Sequence, residues 1–187
     1  GRPKLADFAS GLAAKVLPVV VAGSDDSVET RDGFAAACEF FTRLLSAVEE
    51  LGPGNAGIRQ TLIDADVPNQ LAAYLSTAAK VELAAACKQH TDEGETSRLD
   101  ECEATAISEA VMLLLTLMLT SPADEFDETM AGAPLKALIA TFIGHQYHIG
   151  PVDDFEYVEQ QFKQLSVAHS EAWAEAKGTA TIEWCTC

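Results

Sequence analysis

The sequence predicts an all-α protein, and three of its properties point to that fold class. Alanine-rich and leucine-rich segments fill a chain that is 48% hydrophobic but only 7% aromatic, and both residues are strong helix formers. Apolar residues recur at spacings of three and four along most of the chain, as they do on one face of a helix. Alternation typical of a strand occurs only in the short "TATIEW" at 179–184. We therefore expect six to eight helices in a single domain spanning residues 1–187.

The first two helices are predicted from their apolar spacing. Residues 5–22 form one helix, and Pro18 is expected to kink or end it because proline cannot donate to the helical ladder. Residues 33–51 form the clearest amphipathic helix, which "GPGN" at 52–55 ends. The apolar stripe of this second helix consists of Phe34, Cys38, Phe41, Leu45 and Val48.

A helical corner follows at residues 58–75, "IRQTLIDADVPNQLAAYL". It is predicted as a short helix, a corner at Val67-Pro68 and a second helix that begins there. The text at 77–90 is also helical. The charged segment 88–101 contains few apolar residues and is predicted to be a polar loop insertion.

The second half of the chain contains three more predicted helices. Residues 103–119 form a buried helix whose most apolar part is too short to span a bilayer. Residues 134–143 form the next helix. The last helix covers about residues 153–177, with Phe155, Val158, Phe162 and Leu165 at the a/d spacing of a packed seam. We expect residues 152–177 to serve as a terminal capping or dimerisation helix.

The net charge and the cysteines limit the partners and the compartment. Twelve basic residues against 29 acidic ones give a net charge of −17, which repels nucleic acids and anionic membranes. A basic protein or peptide is the favoured partner, although the same acidity could serve only to keep the domain soluble. Five cysteines are an odd number, and Cys38 and Cys87 lie in alanine-rich helical text, which favours a reducing, cytoplasmic location. A signal peptide is not expected because Pro18 interrupts the first apolar run.

The corner at Pro68 has a counterpart later in the chain. The stretch "FDETMAGAPLKALIATFI" at 126–143 again places a short amphipathic segment before a small residue, a proline and a leucine-containing helix. A long apolar helix precedes each stretch. Proline is tolerated in the first turn of a helix, where its missing N–H would have had no partner. The corners Asp66-Val67-Pro68 and Gly132-Ala133-Pro134 therefore indicate two copies of one structural unit.

This pattern resembles the armadillo/HEAT-like helical repeat family over about residues 30–145. The resemblance implies a right-handed helical solenoid, complete or part of a longer one, whose third helices line a binding face. The two prolines lie 66 positions apart, more than the roughly 40 to 47 residues of a family unit. Asp66 stands where the family often has glycine, and neither Asn69 nor Gln146 matches the family's peptide-binding asparagine. No family binding residue is therefore transferred, and a related multi-helix bundle explains the same text.

The chain carries no recognisable catalytic motif. His145 and His148 have the i, i+3 spacing of a metal pair, but a helix C-terminus also favours histidine. Cys185-x-Cys187 is a weak metal or redox signal without a second pair. The sequence therefore predicts no enzyme activity, no cofactor and no metal site.

The function favoured by the sequence is an intracellular scaffold or adaptor that presents an acidic helical surface to a partner protein, basic peptide or helix. The candidate partner contacts are Asn69, Gln70, Ala73, Lys80, Lys136, Thr141, His145 and Gln146. One alternative is homo-oligomerisation through the terminal helix. Its candidate interface consists of Phe155, Val158, Phe162, Leu165 and Trp173. A helical metal-binding or small-ligand-binding protein is the other alternative.

Overall fold

The computed structural model describes residues 2–22, 28–51, 55–89, 101–148 and 155–185, and side chains in most of that range. These residues form nine α-helices and no strand, so the all-α prediction is confirmed. The helices are α1 (Arg2–Ala22), α2 (Val28–Leu51), α3 (Asn55–Asp64), α4 (Val67–Gln89), α5 (Glu101–Thr120), α6 (Ala123–Thr129), α7 (Ala133–His148), α8 (Phe155–Ala168) and α9 (Ser170–Cys185).

The first helix continues through Pro18, so the expectation that this proline could end it was wrong. Proline at this position removes the hydrogen bond to the carbonyl of Ala14. Both residues are exposed, and water can therefore satisfy that carbonyl. The second helix also begins earlier than predicted, at Val28 rather than at residue 33.

The last predicted helix is longer than expected and is interrupted once, at His169. The backbone N–H of His169 still donates to the Leu165 carbonyl at 3.0 Å, and the N–H of Trp173 donates to the His169 carbonyl at 2.9 Å. Helical hydrogen bonding thus passes through the interruption. The segment 179–184, whose sequence alternates like a strand, is helical because α9 packs along α7. Ala180 of this segment is fully buried.

The helices form two similar units that pack side by side. The first unit is α2, α3 and α4, and the second is α5, α6 and α7. Helix α2 packs along α5, and α4 packs along α7, so corresponding helices of the two units lie against each other. Helix α1 packs on α2, α3 and α4 of the first unit, while α8 packs on α5 and α9 packs on α7 of the second. The molecule therefore has two different ends.

The core follows this packing. Leu113, Leu114 and Leu117 of α5 are fully buried, as are Leu45 of α2 and Leu138 of α7. Helix α5 is central because α2, α4 and α8 all contact it. Within the parts of the chain that the structure describes, no helix is long and apolar enough to cross a membrane.

The loop predicted at 88–101 overlaps a helix at each of its ends. Helix α4 continues to Gln89 and α5 begins at Glu101, because both ends of the predicted loop are helical. Residues 90–100 lie outside the described part of the chain.

Candidate interaction surface

The first unit turns its corner within two residues, Ala65 and Asp66, between α3 and α4. Asp66 adopts a left-handed backbone with φ of 59°, a conformation that costs about 1 kcal/mol for most residues. The N–H of Asp66 donates to the Ile63 carbonyl at 2.8 Å, and the Asp66 carbonyl accepts from the N–H of Gln70 at 3.1 Å. The amide of Asn69 donates to the Asp66 carboxylate at 2.7 Å. Local hydrogen bonds thus hold the strained residue.

The corner of the second unit consists of three residues, 130–132, between α6 and α7. The N–H groups of Met130 and Ala131 both donate to the Phe126 carbonyl, at 2.9 and 3.0 Å. The N–H of Lys136 donates to the Gly132 carbonyl at 3.1 Å, as that of Gln70 does to Asp66 in the first corner. Each corner therefore opens a longer helix with proline as its second residue.

A largely buried ion pair joins the two short helices α3 and α6. The Nε of Arg59 donates to Oε1 of Glu125 at 2.6 Å, and only 12% and 19% of the two side chains are exposed. The Nη1 of Arg59 also donates to the Thr120 carbonyl at the end of α5, at 3.0 Å. This pair fixes the first unit to the second and uses the only basic residue of α3 and α6.

Exposed carboxylates lie on the two helices that this ion pair joins and on the adjoining first corner. They belong to α3, the first corner and α6, and we call them the acidic edge: Asp64, Asp66, Asp124, Asp127 and Glu128. Since Arg59 is already paired with Glu125, the acidic edge has no basic side chain of α3 or α6 to neutralise it. The edge is therefore a region of negative potential that would attract cations.

The partner contacts predicted from the sequence do not all reach the surface. Asn69 and Ala73 are exposed on α4, whereas Gln70 and Lys136 are half-buried. The Thr141 side chain is buried, and its hydroxyl donates to the Ala137 carbonyl at 2.9 Å. Thr141 is therefore not part of an exposed face. The side chains of Lys80, His145 and Gln146 lie outside the described part of the chain.

The predicted seam of the terminal helix packs inside the chain. Val158, Phe162 and Leu165 are buried because α5 covers this side of α8. The ring of Phe162 stacks on Phe142 with centroids 4.2 Å apart and meets Trp173 edge-on at 5.7 Å. Val158, Phe162 and Leu165 therefore pack against other helices of the same chain. Trp173 is half-buried. The side chain of Phe155 lies outside the described residues.

Neither the described cavities nor the described side chains form a recognisable metal site. An open depression of about 480 Å³ is lined by the aromatic side chains of Phe142, Phe162 and Trp173. Within the described residues, no group of three or more His, Cys, Asp or Glu side chains could hold a metal ion. The side chains of the predicted candidates His145, His148, Cys185 and Cys187 lie outside that set. The metal-binding or small-ligand-binding alternative stays a prediction.

Sequence reasoning missed the acidic edge and the ion pair beneath it. One signal was available: Arg59 and Glu125 lie 66 positions apart, the same offset as the two corner prolines. Comparison of the chain with protein-family models, curated proteins and solved structures finds no match. The armadillo-like solenoid and its family membership therefore remain predictions.

Proposed function

We propose that this protein is a protein-interaction scaffold whose acidic edge receives a basic segment of a partner. The observation that carries this proposal is the set of five exposed carboxylates on α3, the first corner and α6, elements whose one basic residue, Arg59, is already paired. These elements therefore do not cancel their own negative potential, which is available to a ligand.

The packing beneath the edge supports the proposal. The α2–α5 and α4–α7 contacts and the Arg59–Glu125 pair hold the two short helices in one arrangement. A partner would therefore meet carboxylates that are already positioned, which lowers the entropy cost of binding. Asn69 and Ala73 lie on α4 next to the edge, where they offer small, neutral contacts for the partner's backbone.

Binding of lysine-rich and arginine-rich peptides, measured by fluorescence anisotropy, tests the proposal. We expect affinity to fall steeply with added salt, because the Debye length shrinks to about 8 Å at physiological ionic strength. The triple variant Asp124→Asn, Asp127→Asn, Glu128→Gln removes three charges of the edge. Each exposed charge contact contributes about 0.5 kcal/mol. Loss of the three contacts should therefore weaken binding about tenfold.

The matched control removes the same number of charges from outside the acidic edge. Asp32→Asn, Glu159→Gln and Glu175→Gln change exposed positions on α2, α8 and α9. We expect this control to weaken binding much less than the edge variant. Equal losses in both triple variants would show that only net charge matters, and salt-independent affinity would contradict the electrostatic basis of the proposal.

A further inference from the structure

Helix α1 carries an apolar face that the described residues of the chain leave exposed. Phe8 is 67% exposed, Leu12 37% and Val19 39%, although the opposite side of the helix buries Ala13 and Val20. Together with the exposed Lys15, these residues recur at i, i+4, i+7 and i+11, which places them on one face. We call Phe8, Leu12, Lys15 and Val19 the α1 stripe. Large apolar side chains exposed in a row are typical of an interaction surface.

A second exposed stripe of similar length lies on α8. Tyr157 is 52% exposed and Val167 is 75% exposed, and the exposed Gln160 and Gln164 lie between them at spacings of three and four. We call these four residues the α8 stripe. At 1.5 Å per residue, the α8 stripe is about 15 Å long and the α1 stripe about 17 Å long. Two helices could therefore pack along these stripes with their apolar ends in contact.

The two stripes are at opposite ends of the molecule. Helix α1 packs on the first unit, and α8 and α9 pack on the second. Each molecule consequently offers one stripe at each end, and the α1 stripe of one copy is free to meet the α8 stripe of another.

Charge selects this pairing over the alternatives. The sequence of α1 contains Arg2, Lys4 and Lys15 against Asp7, a net charge of +2 in a chain whose total is −17. Two copies of α1 would repel each other, whereas α8 contains Glu156 and Glu159 against Lys163 and has a net charge of −1. An anionic membrane would attract α1 but repel the remainder of the chain. A second copy is thus the occupant that both the charge and the stripe lengths favour.

We propose that the protein self-associates head to tail, with the α1 stripe of one copy packed on the α8 stripe of the next. Such a contact uses two different surfaces, so it can continue from copy to copy rather than stopping at a dimer. The proposal is independent of basic-peptide binding at the acidic edge. Because the ends of both stripes are apolar, the association should depend less steeply on salt than peptide binding does.

The test uses two charge-introducing variants of the full chain, Phe8→Glu and Val167→Glu, followed by sedimentation velocity and equilibrium. Both positions are exposed, so we expect little loss of stability, which circular dichroism checks. The unsubstituted protein should show an average mass that rises with concentration above the chain mass of 19.9 kDa. Each variant should weaken association about tenfold or more, since a buried carboxylate replaces an apolar contact.

Mixing the variants is the decisive step. The Val167→Glu copy retains its α1 stripe and the Phe8→Glu copy retains its α8 stripe, so an equimolar mixture should form one-to-one pairs and nothing larger. Ala36→Glu adds the same charge at an exposed position of α2 and should leave self-association unchanged.

Several outcomes would overturn the proposal. A mass that stays near 19.9 kDa at protein concentrations up to about 1 mM would show that the copies do not associate. At that concentration, only contacts weaker than about 4 kcal/mol escape detection. Self-association that persists in Val167→Glu but not in Phe8→Glu would indicate symmetric α1 pairing, and the reverse pattern would indicate symmetric α8 pairing. Phe8-dependent binding to anionic vesicles by an otherwise monomeric chain would assign the α1 stripe to membranes.

Discussion

The two corners join equivalent helices of the two units, but they differ in length and in backbone conformation. The first takes two residues and holds Asp66 at a φ of 59°, whereas the second takes three residues and its Gly132 is not left-handed. One additional residue thus removes the need for backbone strain. The second corner instead relies on two fully buried apolar side chains, Phe126 and Met130. A repeated turn in the sequence therefore does not require a repeated backbone conformation.

The largest expected effect comes from the apolar anchor of the second corner. Phe126 is fully buried, and its ring stacks on His169 at a centroid distance of 3.6 Å, so it also connects α6 to the terminal helix. We expect Phe126→Ala to lower the free energy of unfolding by about 3–5 kcal/mol, because it leaves a cavity. Urea denaturation measures this loss. Glu175→Ala, at an exposed position of α9, is the control and should change stability by less than about 0.5 kcal/mol.

The ion pair between the units should give the next largest effect. A double-mutant cycle with Arg59→Met and Glu125→Gln isolates the coupling between the two side chains. Since both are mostly buried, we expect a coupling energy of about 2 kcal/mol. Chemical denaturation of the four proteins provides the measurement. Additive losses would mean that apolar packing alone holds the units together.

The strained residue offers a smaller and more direct test of the difference between the corners. Asp66→Ala keeps the left-handed backbone but loses the carboxylate that accepts from Asn69, so we expect it to cost about 1 kcal/mol. Gly132→Ala should instead stabilise the protein by about 0.5 kcal/mol, because a Cβ there meets no atom within 4 Å and the backbone is not left-handed. Thermal unfolding distinguishes the two. Destabilisation by Gly132→Ala would contradict the assignment of strain to the first corner.

The smallest expected effect is a pH dependence of the free energy of unfolding that arises at the contact between the two units. Burial raises the pKa of Glu109 on α5 above its ordinary value of 4.5; Glu39 on α2 raises it further, and Arg43 opposes both. A raised pKa in the folded state means that ionisation is easier after unfolding, so stability falls as pH rises from 4.5 through the folded pKa. Glu109→Gln should therefore be more stable than the unsubstituted protein at pH 7. The two stabilities should converge below pH 4, and a constant difference across that range would contradict this mechanism.

Local patterns in the sequence predicted much of the fold. The apolar spacing of α2 and α5 and the prolines of both corners are properties of neighbouring residues, and they predicted helices and corners where the structure has them. The continuation of α1 through Pro18 and of α9 beyond residue 177 was not predicted, because each depends on the surroundings of the helix. Solvent access permits the proline, and packing on α7 favours the helix.

The candidate surface was much harder to predict, because it depends on contacts between distant residues. The a/d seam of α8 indicated an apolar face correctly, but the sequence could not show that α5 covers it and leaves Tyr157 and Val167 outside. Net charge predicted an acidic surface without locating it. Its position follows from the Arg59–Glu125 pair, which joins residues far apart in the chain.

The position of Cys38 has a practical consequence. Its thiol is fully buried on α2, and this burial, with Glu109 of α5 as a second cause, raises its pKa. An alkylating reagent needs both access and a thiolate, so it should modify Cys38 only while α2 has moved away from α5. Cys87, Cys102, Cys185 and Cys187 can be replaced by serine so that Cys38 is the one remaining thiol. Its modification rate then measures how often the two units separate transiently under native conditions.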